Sequence, residues 1–333
     1  MDVLSLVVCP RCHSRVERGE GGFRCTNEEC ALREQGFPSV AGQPALVDFD
    51  RSIFNREQLR AQAGALEDRR VEAPESPANR LKAFLFGTNN AAREAANLFA
   101  RRLRGIPGAK VLVVGGGTIG SGMEGLYANP DLDIVGTDVY ASPNTALIAD
   151  AHQLPFPDRS FDAVWVQAVL EHVLDPAGVV AEIHRVLKPR GLVYADTPFM
   201  QQVHEEAYDF SRFTLSGHRW LFQNFELIST GPVKGVGTSL NWSIRYFTRA
   251  LTRSERLATL VGLAFFWLRF FDDIGDFGMN ADGASGIYFI GSKSSRPMPP
   301  RDMVAFYRDR QAYHRLGRRP PSPQPGRVPG VEA

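Results

Sequence analysis

The chain has 333 residues, 44% hydrophobic and 23% charged, enough apolar content for one large domain or two smaller ones and unlike a disordered composition. Its 38 basic and 37 acidic side chains leave a net charge of +1, so no global field draws it to nucleic acid. Asp2 stands where a secretory signal would carry Lys or Arg, which makes a cytoplasmic protein the expectation.

Residues 1–49 read as a compact unit holding all four cysteines, Cys9 and Cys12 in CPRC and Cys25 and Cys30 in CTNEEC. Two pairs separated by a short β-like segment suit a tetrahedral thiolate site at zinc-ribbon spacing. A structural Zn2+ would order a unit too small to hold itself by burial. His13 is a spare ligand that could replace a thiolate. Free or redox-active thiols are the competing reading, and disulfides the weakest one in a reducing compartment.

Residues 50–108 read as a helical linker. Ile53 to Arg70 is charged and helix-like, and Val71 to Asn79 breaks the pattern with Pro74 and Pro77. A second helix is predicted over Asn90–Arg104, with Ala95, Leu98, Phe99 and Leu103 at helical spacing, ended by Gly105–Gly108.

Residues 109–295 alternate strand and helix. Short apolar runs at Val111–Val114, Ile134–Gly136, Ala163–Val166 and Leu192–Ala195 predict a mainly parallel sheet. Asp175 followed by Pro176 predicts an N-cap and first helical residue. That helix buries Val179, Val180, Ile183 and Leu187 and stops at Lys188-Pro189-Arg190-Gly191. Phe225–Ser229 and Gly286–Gly291 are two further strands, with a partly helical insertion over residues 232–284. The longest apolar run lies inside it, Leu257 to Leu268, closed by Arg269 and too short to span a bilayer. A buried helix is the first reading of that run, and contact with a membrane surface or lipid-like acceptor the second. Residues 296–333 read as a Pro- and Arg-rich disordered tail.

The first of these strands runs into Gly115-Gly116-Gly117-Thr118-Ile119-Gly120, a GxGxxG turn that lets backbone approach a ligand closely. Asp138, ending LDIVGTD, stands where a carboxylate could hold ribose hydroxyls. Nicotinamide dinucleotides and S-adenosylmethionine both carry that ribose, so these two features do not choose between them. The next block is more specific: Asp150, Ala151, Leu154, Pro155, Phe156, Asp158, Ser160, Phe161, Asp162 and Val164 in order, then Leu170-Glu171-His172-Val173 and Leu187 to Gly191. Over residues 109–230, and again at Ile287 to Ser292, the chain resembles class I S-adenosylmethionine-dependent methyltransferases of the type 11 subgroup.

The resemblance implies a Rossmann-like α/β fold, a seven-stranded mostly parallel sheet with helices on both faces. It implies that Gly115, Gly116 and Gly117 pass under the methionine and ribose, and that Asp138 accepts from the ribose hydroxyls. Val139 would pack on adenine, Asp150 take its exocyclic amino group, and Ala151 donate its amide to a ring nitrogen. Gln167 and His172 would line the methionine side. The acid usual two residues before the first glycine is absent; Val113 stands there. Phe37 to Phe49, with the cysteines, resembles the small zinc-ribbon or Trm112-like modules that precede some methyltransferase domains.

In an open parallel sheet the acceptor belongs at the carboxyl ends of the strands. After the fifth strand, Asp196 to Trp220 offers His204 as a base near neutral pH. Asp209 and Arg212 read as a mutual structural lock. The aromatics of the insertion are either core or a cap over a bulky acceptor. The expected activity is methyl transfer to a small-molecule or glycoconjugate acceptor, at oxygen rather than nitrogen. The alternatives are an RNA methyltransferase that uses the zinc ribbon, a non-catalytic cofactor-binding module and, last, an NAD-dependent oxidoreductase.

Overall fold

A computed structural model describes residues 5–19, 22–61, 88–274 and 277–314. The part of the predicted 53–70 helix beyond residue 61, the Val71–Asn79 break and the 315–333 tail lie outside them.

The N-terminal unit is a four-stranded antiparallel sheet, β1 (Val16–Gly19), β2 (Gly22–Cys25), β3 (Phe37–Val40) and β4 (Gln43–Pro44), paired in that order. Seven strands form the main sheet: β5 (Ala109–Val114), β6 (Leu132–Asp138), β7 (Leu147–Ile148), β8 (Phe161–Gln167), β9 (Leu187–Pro198), β10 (Phe225–Lys234) and β11 (Gly286–Lys293). Their order is β10-β11-β9-β8-β5-β6-β7. β5 to β9 run parallel, and β11 is antiparallel to both β9 and β10. The expected α/β fold is therefore present.

Each central strand is buried on both faces, which is why the runs are apolar throughout rather than alternating. Leu112 and Val114 of β5 and Val164 and Val166 of β8 join one core cluster. Val111 and Val113, with Ala163 and Trp165, join the other. The second face is covered by helix α1 (Asn90–Arg102), whose N-cap Asn89 accepts from the Ala92 amide at 2.9 Å. Phe99 of α1 meets Trp165 edge-on, ring centroids 5.6 Å apart. On the first face lies α2 (Pro176–Val186), capped by Asp175, which accepts from the Gly178 amide at 2.9 Å. Its Val179, Val180, Ile183 and Val186 are buried, each contributing about 1.5–3 kcal/mol by removal from water.

Several boundaries differ from the sequence reading. α2 ends at Val186, and Leu187 instead opens β9 opposite Phe161. β10 runs on to Lys234, because Pro232 falls at a register shift where a ladder donor is not needed. The insertion proper therefore begins with α4 (Val236–Thr252), after α3 (Leu215–Leu221), and continues into α5 (Glu255–Ala264).

The Leu257–Leu268 run is not one buried helix. α5 is followed by a tight turn over Phe266–Phe270, and Leu260 is 63% and Trp267 44% exposed. Within α5 the small residues Ala258 and Gly262 are the buried ones; a Cβ on Gly262 would strike the Arg245 side chain of α4. Of the larger residues of the run, Leu257, Leu260, Phe265 and Trp267 are exposed, while Leu268 is buried. No helix among the described residues is long and apolar enough to cross a membrane.

The region after residue 296 is also ordered in part. Helix α6 (Asp302–Asp309) buries Phe306, and Ser229 of β10 donates to the Tyr313 carbonyl at 2.9 Å.

The N-terminal unit docks on the β7 edge. Ala45 bridges Ile148 in parallel register, and the Leu46 amide donates to the Ile148 carbonyl at 2.9 Å. Gln43 donates its amide to the carbonyls of Ser142 and Thr145 at 2.6 and 2.8 Å. Val40, Ala45 and Val47 share a core cluster with Ala141 and Ile148.

Candidate functional site

β5 and β8 are adjacent, yet the chain leaves them toward opposite sides of the sheet, so a crevice opens beyond their carboxyl ends. The glycine turn lies there. Gly115 has φ +73°, and a Cβ on it would sit 2.2 Å from Val169 Cγ2. At Gly117 a Cβ would meet the Tyr140 hydroxyl and ring. The Gly116 amide donates to the Thr137 carbonyl at 2.8 Å, tying the turn to β6.

Asp138 closes β6. Its carboxylate accepts from the Gly117 amide at 2.8 Å and from the Val139 amide at 2.7 Å. Two backbone donors fix its direction beside the turn. Val139 follows it, half-buried.

Asp150, just past β7, is buried. Oδ1 lies 2.6 Å from His152 Nδ1, and Oδ2 accepts from the Ser52 hydroxyl at 2.5 Å. Burial alone would raise its pKa, but the hydrogen bonds from His152 and Ser52 outweigh it and hold the carboxyl below the ordinary range. Both oxygens therefore already have protein partners. Ala151 is buried beside it in a short 3-10 turn.

Gln167 ends β8. Its Oε1 accepts from Trp165 Nε1 at 3.2 Å, and its Nε2 donates to the Ser121 carbonyl at 3.3 Å. A Cβ on Gly120 would touch Oε1, so the glycine loop and Gln167 are in close contact.

Beyond Gln167 opens a cavity of about 460 Å³. Its floor is the β8 and β9 ends, with Glu171, Asp196 and His204, and its roof is α4 and α5, with Trp242, Arg245 and Leu263. Sequence reasoning passed over Asp196 and Glu171. Asp196 accepts from the Tyr194 hydroxyl at 2.7 Å, the Asn89 amide at 2.8 Å and the Ala168 amide at 3.1 Å. Burial nonetheless pushes it up to about 6. Glu171 is pushed up to about 8, chiefly by burial. Glu171 falls within the LEHV motif, but only the fold reveals its burial.

His172 Nδ1 lies 2.7 Å from the Tyr208 carbonyl, and its ring meets that of His204 edge-on at 5.0 Å. Burial lowers the His172 pKa. His204 Nδ1 stands 3.3 Å from Asp209 Oδ2 without hydrogen-bond geometry, while the His204 amide does donate to that oxygen at 3.0 Å. Arg212 grips both oxygens of Asp209 and donates to the Gln201 carbonyl at 2.9 Å. That pair is the lock its spacing suggested.

In the N-terminal unit the four thiol sulfurs lie within 4.8 Å of one another, with Cys12 to Cys25 at 3.4 Å and Cys9 to Cys30 at 3.8 Å. Four sulfurs about 2.3 Å from one ion would stand roughly 3.7 Å apart, so the set fits a tetrahedral cation. No disulfide joins them. His13 is not among the clustered donors: at φ 56° it turns the loop between Cys12 and β1, and its amide donates to the Cys9 carbonyl at 2.9 Å.

Residues 115–195 match the family described as a methyltransferase domain. Demethylmenaquinone methyltransferase from Renibacterium salmoninarum is 41% identical over 102 residues, 27% of this chain and 42% of that protein. A 2-methyl-6-phytyl-1,4-hydroquinone methyltransferase from Synechocystis is 31% identical over 166 residues, 41% of this chain and 51% of that one. The chain thus spans about half the length, or less, of these relatives. Phosphoethanolamine N-methyltransferase 2 from Haemonchus contortus, solved with S-adenosyl-L-methionine, overlays loosely, with a TM-score of 0.41 at 18% identity over 68% of this chain and 59% of that one.

The segment that matches the methyltransferase-domain family begins at the glycine turn, spans β6, β7 and β8, and ends within β9. It is preceded in the chain by the cysteine module, whose four sulfurs are spaced for a tetrahedral ion.

Proposed function

We propose that this protein transfers a methyl group from S-adenosylmethionine to an oxygen of a small acceptor held in the 460 Å³ cavity. The observation that carries the reading is the place of Gln167, which touches the glycine loop on one side and lines the cavity on the other. A sulfonium methyl group held over the loop would then face an acceptor in the cavity. In this reading Asp138 takes the ribose hydroxyls, and Asp150 and the Ala151 amide serve adenine. Val139 packs on its face, and Gly115 to Gly117 pass beneath the methionine.

S-adenosylmethionine supplies an activated methyl group and a good leaving group. The acceptor oxygen forms the new C–O bond as the S–C bond breaks, the electron pair goes to sulfur, and the acceptor proton leaves. The protein's share is alignment, exclusion of water and a place for that proton. His204, at the cavity floor, is the proposed proton acceptor.

Both relatives above are named for ring acceptors that carry oxygen substituents, a quinone and a hydroquinone. A ring of that kind, or a sugar, is the acceptor class proposed here. The near-zero net charge and the helices over the cavity both favour a small molecule over RNA. For the cysteine module we infer a structural Zn2+ held by Cys9, Cys12, Cys25 and Cys30.

Calorimetry with S-adenosylhomocysteine and NADH tests the cofactor half, and only the former should bind. Transfer of a labelled methyl group to a panel of hydroquinones and sugars tests the rest. Binding without transfer to any member would favour a non-catalytic module, and steeply salt-dependent RNA binding would favour the RNA reading.

A further inference from the structure

Glu171 is fully buried at the cavity floor, yet neither carboxylate oxygen has a hydrogen-bond partner among the described residues. Buried carboxyl groups persist in proteins when something ligates them. Two imidazoles converge on this one. His172 Nε2 lies 3.6 Å from Glu171 Oε1, and one ring nitrogen of each of His172 and His204 lies within 4.8 Å of the carboxylate and of the other.

The surroundings of His172 fit the same pattern. His172 Nδ1 is spent on the Tyr208 carbonyl, which makes it the N–H and leaves the Nε2 lone pair facing Glu171. His204 Nδ1 stands 3.3 Å from Asp209 without hydrogen-bond geometry, so of the two rings it is His172 whose orientation is fixed by a hydrogen bond. Imidazole ligands of metals are typically oriented by a carbonyl or carboxylate on their other nitrogen.

We propose that Glu171, His172 and His204 bind a divalent transition-metal ion, as two imidazoles and one carboxylate on a face open to the cavity. Nitrogen and carboxylate donors in this ratio suit such ions and leave coordination positions for outside oxygens. Resting on the reading of the cavity as the acceptor site, but with the ion taking over from His204 the task of releasing the proton, the ion would hold an acceptor oxygen and ease loss of its proton to water.

The test uses the full chain, purified with zinc to fill the cysteine site, desalted, and titrated with Co2+. The expected result is one further ion per chain with the weak visible absorption of nitrogen and oxygen ligands, distinct from the intense band of thiolate-bound cobalt. Glu171→Gln and His204→Asn should each weaken that binding at least about tenfold. Should Glu171→Gln fail to fold, His204→Asn carries the test. Absence of the second ion in the wild-type chain, or equal binding in both variants, overturns the proposal. Calorimetry with S-adenosylhomocysteine on the same samples separates the two readings. Cofactor uptake without cobalt sinks only the metal, and cobalt without cofactor uptake sinks only the methyltransferase assignment.

Discussion

The Ser52 hydroxyl, just past the N-terminal module, donates to Asp150 Oδ2 at 2.5 Å, joining that part of the chain to the proposed adenine ligand. The segment that leaves the module therefore reaches the proposed cofactor site, while the module itself sits on the sheet edge. Ser52→Ala removes a donor from a buried, ionised acceptor. The expected cost is about 2 kcal/mol of stability, read by urea unfolding. A change within experimental scatter would mean that the contact carries no energy.

Asp138, held in direction by two amides, is the proposed ribose ligand. Asp138→Ala should weaken S-adenosylhomocysteine binding by about 1.5–3 kcal/mol, equivalent to a roughly 10- to 150-fold higher Kd. An unchanged calorimetric Kd would remove the ribose from this position.

His218 is wholly enclosed beside Phe213, Phe222 and Phe289, and burial lowers its pKa from 6.5 to about 3. The unfolded chain therefore binds a proton that the folded chain refuses. Its contribution is intact above pH 6.5 and is lost as pH falls toward 3. His218→Leu should lose about 2 kcal/mol less than the wild type between pH 7 and pH 5. Paired thermal melts at the two pH values measure the difference, and parallel losses would show that the imidazole protonates freely in the fold.

The thiol cluster predicts a metal content. Elemental analysis of the desalted wild-type chain should give about one zinc retained at the cysteines, and Cys30→Ser should lose it and lower Tm. Equal zinc and equal melting in the two proteins would leave the thiols without a structural ion.

The sequence was most informative where structure is set locally. Asp175 with Pro176, the apolar runs of β5 and β8, and the cysteine spacing all act over a few residues. Contacts between distant residues were harder to see. Ser52 and Asp150 are 98 positions apart, and nothing local to either announces the other. β7 has only two residues, too few for a periodic signal. Glu171 stood in plain view inside LEHV beside His172, but its burial and the approach of His204 from a distant loop show only in the fold. The Leu257–Leu268 run misled because hydrophobicity alone cannot tell a helix inside the core from one whose small residues face inward.

The pairing of Ala45 with Ile148 has one more consequence. β7 is the outermost strand on its side, and a bare margin of that kind invites other copies to add on and precipitate. The cysteine module shields that margin, so an ion that orders the module would also guard solubility. A fragment trimmed to the methyltransferase half alone should clump, and so should the whole chain when starved of zinc.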